Sequence, residues 1–351
     1  MELREYLSWA VENGASDIFV VAGTPLSIKK DGRLLSCGDK LMPAAVKELI
    51  QNIYTLANRS PERFDKTGDD DFSFAVGGLA RFRVNTYMQR GSWASVIRVV
   101  NFEIPDWRSM GIPEGVIRLA DLKSGMVLVT GTAGSGKSTT LACIIEEINA
   151  TRDCHIVTLE DPIEYLHRNK RGIVSQREIA IDTRDSLSGL RACLRQAPDV
   201  IQLGEMRDRE TISTAMTAAE TGHLLLATLH TKGAASTIDR IIDTFPPEQQ
   251  SQIRIQLGSV LQTVVCQQLL PAADGGRVPA FEIMTMTPAV RSLIRDSKTH
   301  QIDNAIASGA ADGMISMDQS IYALFKAGRI SADTALSHAV NTDQMRRRVG
   351  K

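Results

Sequence analysis

A chain of 351 residues is longer than one hydrophobic core usually organises, so two domains are expected. The 43% hydrophobic and 23% charged content is that of an ordinary globular protein, and a net charge of −1 gives no global positive field to attract nucleic acid or an anionic membrane. No apolar run approaches the ~18–20 residues that span a bilayer. The five scattered cysteines (Cys37, Cys143, Cys154, Cys193, Cys266) form no C-x-x-C pair, which argues against a disulfide framework or structural zinc and for a reducing, cytoplasmic setting.

The first residues, MELREYLSWAVENGASD, contain no signal-peptide core. Leu3, Leu7, Ala10 and Val11 instead fall on one side of an amphipathic helix. Strands are expected at 17–21, 26–30, 72–76, 80–89 and 93–100, and a helix at 43–57 with Val46, Leu49, Ile50 and Ile53 as its core stripe. Within 80–89, Phe82, Val84, Thr86 and Met88 alternate with Arg81, Arg83, Asn85 and Tyr87, and Gly91-Ser92 is the expected hairpin turn. These elements make residues 1–103 a small α+β domain. The stretch NFEIPDWRSMGIPEG has two prolines, two glycines and no periodicity, which marks 104–114 as a linker.

From 115 to 285 strands alternate with helices. MVLVT, HIVTLE (155–160), DVIQLGE (199–205) and LLLATLH (224–230) predict a parallel sheet covered on both faces, with the ligand beyond the carboxyl ends of its strands. The first of these strands runs into Gly131-Thr132-Ala133-Gly134-Ser135-Gly136-Lys137-Ser138, the full G-x-x-x-x-G-K-[ST] spacing. Thr139 follows, and then Leu141, Ile144, Ile145 and Ile148 form one helical stripe. Bare glycines let the amides curl around a phosphate, and the helix N-terminus adds partial positive charge. Lys137 can reach the β- and γ-phosphates and the Ser138 hydroxyl can hold magnesium. A glycine-rich turn that binds nothing is the alternative, and the flanking strand and helix favour the nucleotide loop.

Such a site needs acids. Glu205, at a strand end, suits the metal, directly or through a bound water. Glu160, Asp161 and Glu164 lie within five residues at another strand end. Glu164 is the candidate for activating water, while Asp161 is equally suited to cap a helix with Pro162 and Glu164 in its first turn. His223 and His230 bracket one strand and are candidates for sensing the γ-phosphate. Gly222 is placed to end the preceding helix, whose stripe is Ile212, Ala215, Met216 and Ala219. Gln202, inside a strand buried on both faces, must find a partner or face a cavity. Residues 286–351 read as helical, starting from a cap at Thr287 with Pro288 at the first position, and they close with the basic QMRRRVGK.

Four stretches, GTAGSGKSTTL, TLEDPIEYLH, GEMRDRETI and TAAETGHLLLATLHT, resemble the Walker A, Asp-box, Walker B and His-box set of secretion-type ATPases. Over essentially its whole length the chain is similar to the type IV pilus retraction ATPases, the PilT family. Supporting stretches are SDIFVVAGTPLSIKKDG and GLARFRVNTYMQRG, and TPAVRSLIRD (287–296) is similar to that family's AIRNLIRE signature. Phe19, Gln202 and the changes within the AIRNLIRE-like segment depart from the pattern, and none touches a phosphate or metal ligand.

The resemblance implies an α/β fold: an N-terminal PAS-like α+β domain, a RecA-like P-loop NTPase core and a helical C-terminal region. It implies a ring of six subunits that hydrolyses ATP with Mg²⁺ between the domains. Arginines complete the site, at positions matching Arg81, Arg83, Arg191 and Arg195, the last two on one helix face. It further implies a cytoplasmic motor for pilus retraction and twitching, peripheral at the inner face of the cytoplasmic membrane. Its partners would be the pilus inner-membrane platform protein and other pilus ATPases, with no nucleic acid. The helix at 287–296 would transmit the ATP cycle. Rival readings are a pilus assembly or type II secretion ATPase, which usually carries a longer N-terminal region and a four-cysteine motif, and an accessory retraction ATPase, which the AIRNLIRE-like segment opposes. A nucleic-acid-linked RecA-like ATPase gains little from 5% aromatics and balanced charge.

Overall fold

Period-two alternation builds the first of two compact units in the computed structural model, which describes residues 3–30, 33–100 and 103–350. This unit comprises the described residues up to Glu103 together with Glu164–Leu166. Its elements are α1 (Leu3–Glu12), β1 (Asp17–Val21), β2 (Leu26–Lys30), β3 (Arg33–Cys37), α2 (Pro43–Leu56), α3 (Glu62–Thr67), β4 (Asp69–Val76), β5 (Ala80–Gln89) and β6 (Ser92–Val100). The six strands form one antiparallel sheet in the order β3-β2-β1-β6-β5-β4, the PAS-like layer. Phe82, Val84 and Thr86 of β5 turn inward. The apolar residues of that face pack with Tyr6 and Leu7 of α1 and with Val46, Ile50, Ile53 and Tyr54 of α2.

Two details depart from the sequence-based expectation. Gln89 pairs with Ser92, so the hairpin turns at Arg90-Gly91 rather than Gly91-Ser92. Both turn residues have positive φ, 48° and 74°, the backbone twist that a two-residue hairpin requires. Strand β3 has no counterpart among the expected strands, because RLLSC is exposed at nearly every position and shows no alternation.

One buried ion pair fastens the unit. Asp70 is 1% exposed and accepts from Arg59 Nε at 2.9 Å, Arg59 Nη2 at 2.8 Å and Tyr54 Oη at 3.2 Å. Every carboxylate oxygen is answered, so Asp70 can stay charged although buried; removing Arg59, itself half-buried, would strand that carboxylate at a cost on the order of 3–5 kcal/mol.

The second unit spans Ile104–Ile163 and continues from His167. After α4 (Glu114–Ile117) come β7 (Gly125–Thr130), α5 (Lys137–Thr151), β8 (His155–Glu160), β9 (Ile173–Glu178), α6 (Ser186–Cys193), β10 (Val200–Leu203), α7 (Arg209–Glu220), β11 (Leu224–Leu229), α8 (Ala234–Asp243), α9 (Pro247–Val260), β12 (Leu261–Pro271) and β13 (Arg277–Thr285). Five helices follow: α10 (Pro288–Arg295), α11 (Ile302–Ser308), α12 (Met317–Lys326), α13 (Ala332–His338) and α14 (Thr342–Val349). The seven-stranded sheet runs β13-β12-β7-β11-β10-β8-β9, parallel except for β13.

Strands β7, β10 and β11 are buried at every position, which is why they read as continuous apolar runs. On one face Val127, Val129, Val200 and Leu226 meet Leu141, Ile144, Ile145 and Ile148 of α5. On the other, the sheet packs with α7, α8 and α9, and the helices beyond Thr285 enter the same apolar cluster through Val290, Ile294, Ile302, Met317 and Ile321. Thr287 caps α10 by accepting from the Val290 amide at 3.3 Å, and Gly222 takes φ +101° just past α7, both as the sequence indicates. Gln202 stands on the α5 face of β10, 6% exposed, with Thr158 of β8 opposite it.

Strands β9, β12 and β13 are additional to those expected. In β12 the glutamines Gln262, Gln267 and Gln268 break the apolar pattern that would have announced a strand. Among the described residues no helix is long and apolar enough to cross a membrane.

Candidate active site

Because β7, β8, β10 and β11 run parallel, their carboxyl ends share one edge of the sheet. From that edge emerge the 131–136 loop after β7, Asp161 after β8, Glu205 after β10 and His230 after β11.

The loop conformation is available only to glycine at its two ends. Gly131 has φ +144°, and a Cβ there would stand 2.3 Å from the Gln267 carbonyl oxygen and 2.6 Å from Ser135 Oγ. Gly136 has φ +91° and caps α5 in the left-handed region. Lys137 begins α5 and is 8% exposed, with Nζ donating to the carbonyls of Gly131 at 2.9 Å and Thr132 at 3.0 Å. The ammonium is thus folded back over the loop by the loop's own carbonyls, poised where an anion would exchange for them. Ser135 Oγ is buried with no hydrogen-bond partner among the described residues. A buried hydroxyl left open in a cradle of glycines fits an anionic ligand, and the first-turn amides of α5 are donors that a helix cannot satisfy internally.

At the same sheet edge, after β10, stands the acid. Gly204 N donates to Leu159 O at 2.7 Å, and a Cβ on Gly204 would lie 3.2 Å from that carbonyl, so glycine lets the chain turn tightly at the end of β10. Glu205 follows and meets Arg207 Nη2 at 2.7 Å and His230 Nε2 at 3.4 Å. His230 therefore belongs to this edge.

His223 does not. It precedes β11, at the level where the Gly125 amide donates to its carbonyl at 3.0 Å, and its Nδ1 lies 2.9 Å from Ala218 O. Strand polarity separates the two histidines by the whole length of β11, so the expected pairing of His223 with the phosphate edge is corrected.

Two further expectations change. No helix starts at Asp161: residues 161–172 are irregular, with Ile163 buried and Glu164 exposed. The later part of the segment is tied to the nucleotide helix instead. His167 Nδ1 lies 3.2 Å from Glu146 of α5, Lys170 Nζ lies 2.5 Å from the same carboxylate, and Asn149 Nδ2 donates to Arg168 O at 2.8 Å. Hydrogen bonding from His167, helped by Lys170, holds the Glu146 carboxyl down at about 2. Sequence reasoning passed over Glu146 and Asn149, which lie three apart and so on one side of the helix, beside its apolar stripe. The second change concerns the arginines. Arg191 lies in the last turn of α6 and faces Glu210 at 3.4 Å, whereas Arg195 lies beyond the helix and donates to Arg191 O at 2.9 Å, so they do not share a helical face. Arg81 and Arg83 are half-buried on the outward side of β5 in the first unit.

A strand, a glycine-bounded loop, a helix led by lysine and serine, and an acid at the same sheet edge, one strand beyond β11, define a RecA-like P-loop nucleotide-binding protein. Comparison with known proteins agrees. The family model described as "Type II/IV secretion system protein" matches residues 2–276. A type IV pilus retraction ATPase, PilT, of Pseudomonas aeruginosa is 43% identical over 97% of this chain and 98% of its own length. A twitching motility protein of Neisseria gonorrhoeae is 43% identical over 87% of this chain and 82% of its own length. Among solved structures, the pilus retraction motor PilT with bound ADP aligns with a TM-score of 0.90 at 42% identity, covering 99% of both chains. The chain belongs to the type II/IV secretion system protein family.

Proposed function

We propose that this chain is the ATP-hydrolysing motor of type IV pilus retraction, working as a homohexamer. The observation that carries the reading is the whole-length likeness to the retraction motor, which extends through both units and includes the Thr287-capped helix α10.

In this reading the amides of residues 131–139, the Lys137 ammonium and the Ser138 hydroxyl hold ATP. Ser138 and Glu205 hold Mg²⁺, which neutralises charge on the phosphates when bound. Glu164 orients and deprotonates the attacking water. His230, 3.4 Å from Glu205, is placed to register whether that carboxylate is engaged. Arg81, Arg83, Arg191 and Arg195 supply cationic groups to the site as subunits close, so that charge stabilisation arrives with movement. The functional division is 1–103, the linker 104–114, the ATPase core 115–285 and the transmitting helices 286–351. The motor sits in the cytoplasm at the inner face of the membrane, held there by a pilus platform protein.

Deleting the gene and imaging the cell surface tests this reading. Hyperpiliated cells that no longer twitch are the expected result. Bald cells would make the chain an assembly motor instead.

A further inference from the structure

Strand β12 outruns its neighbour. Cys266 pairs with Thr130, the last residue of β7, so the next residue, Gln267, lies beneath the loop that leaves β7. Gln267 is 3% exposed, and an amide carried that deep into a sheet needs partners. Its partners are parts of the nucleotide loop and helix. The main-chain oxygen of Gln267 fills the space that a Cβ on Gly131 would need, at 2.3 Å. Its Nε2 does the same behind Gly136, at 2.8 Å. Its Oε1 accepts from Thr140 Oγ1 at 2.7 Å, and Thr140, in the first turn of α5, is 0% exposed. One residue thus backs the first glycine of the loop, the last glycine of the loop and the helix start.

We infer that Gln267 is a positioning residue for the triphosphate loop, acting through Thr140. It locks the N-terminus of α5 against the end of β12, so that the loop amides, Lys137 and Ser138 converge before nucleotide arrives. An apolar side chain of similar size would fill the same volume but could not accept from Thr140. Preorganisation through that bond, rather than core packing alone, is what sets the curvature of the loop. The inference rests on the ATP site proposed above.

ADP titration of the full-length protein, with folding checked by circular dichroism, separates the possibilities. Gln267→Leu and Thr140→Val should each raise the dissociation constant for ADP about ten-fold, equivalent to ~1.4 kcal/mol. Their combination should be no worse than either alone, because both remove one bond. Thr140→Ser, which keeps the hydroxyl, should stay within about two-fold of the starting protein. In turnover, the KM for ATP should rise by more than kcat falls. Folded variants that bind ADP normally, effects that simply add, or a Thr140→Ser protein as weak as Thr140→Val would each overturn the assignment. If Gln267→Leu does not fold, the two Thr140 variants carry the test. An unsubstituted protein that takes up no ADP would reject the nucleotide site itself, and this assignment with it; normal uptake with indifferent variants rejects the assignment alone.

Discussion

Gly131→Ala should weaken the binding of ADP and ATP roughly a hundred-fold while the protein remains folded. Two independent obstacles act at that atom. The residue holds φ +144°, outside the range an alanine adopts without strain, for which ~1–3 kcal/mol is typical. The added methyl would also overlap the main-chain oxygen of Gln267 at 2.3 Å. That oxygen belongs to β12, which is held between β7 and β13, so it cannot retreat as a flexible side chain would. The loop must give way, and with it the convergence of amides that makes the anion site. A loss of about 3 kcal/mol corresponds to roughly a hundred-fold in affinity. Titration with ADP, alongside circular dichroism, checks the outcome; an unchanged dissociation constant in a folded protein would mean that the loop does not bind phosphate in the shape described.

The second large effect concerns turnover with binding spared. Glu205→Gln and Glu164→Gln should each leave ATP binding within a few-fold of normal and lower kcat by on the order of 10²–10⁴. The two differ in mechanism. Glu205 is fixed at the end of β10 between Arg207 at 2.7 Å and His230 at 3.4 Å, and the amide that replaces it loses the negative charge that a metal needs. Raising Mg²⁺ should therefore recover part of the Glu205→Gln activity and none of the Glu164→Gln activity. Glu164 is exposed on an irregular segment and makes no ion pair among the described residues, so its loss should act on the chemical step alone. Undiminished turnover in Glu164→Gln would assign water activation to another residue.

How much of this was legible in the sequence follows from which interactions are local. The bounds of β5 coincide with the alternating run 80–89, because one face of that strand is buried and the pleat writes itself into the residue order. The nucleotide loop was legible because its backbone demands glycine at set positions, and the start of α10 because a threonine cap and a first-turn proline are local devices. What escaped depends on partners far along the chain. Gln267 looks like a defect in an apolar strand until Thr140, 127 positions away, supplies its hydrogen bond.

The two histidines teach a different lesson. Both flank β11, but in a parallel sheet only the carboxyl-end residue can reach the ligand edge, and polarity alone singles out His230. At Asp161 the residues suit a helix cap, yet burial of Ile163 and the bonds from His167 and Lys170 to Glu146 commit the segment to another course. Tertiary contacts overruled a local preference there.

Phosphate release by the purified protein, supplied with ATP and Mg²⁺ and run beside Lys137→Ala, tests the account at its centre. Steady release from the unsubstituted protein and none above background from Lys137→Ala is the expected pair of results, since the ammonium now resting on the Gly131 and Thr132 carbonyls has no substitute in the loop. No release from either protein, or equal release from both, would contradict it.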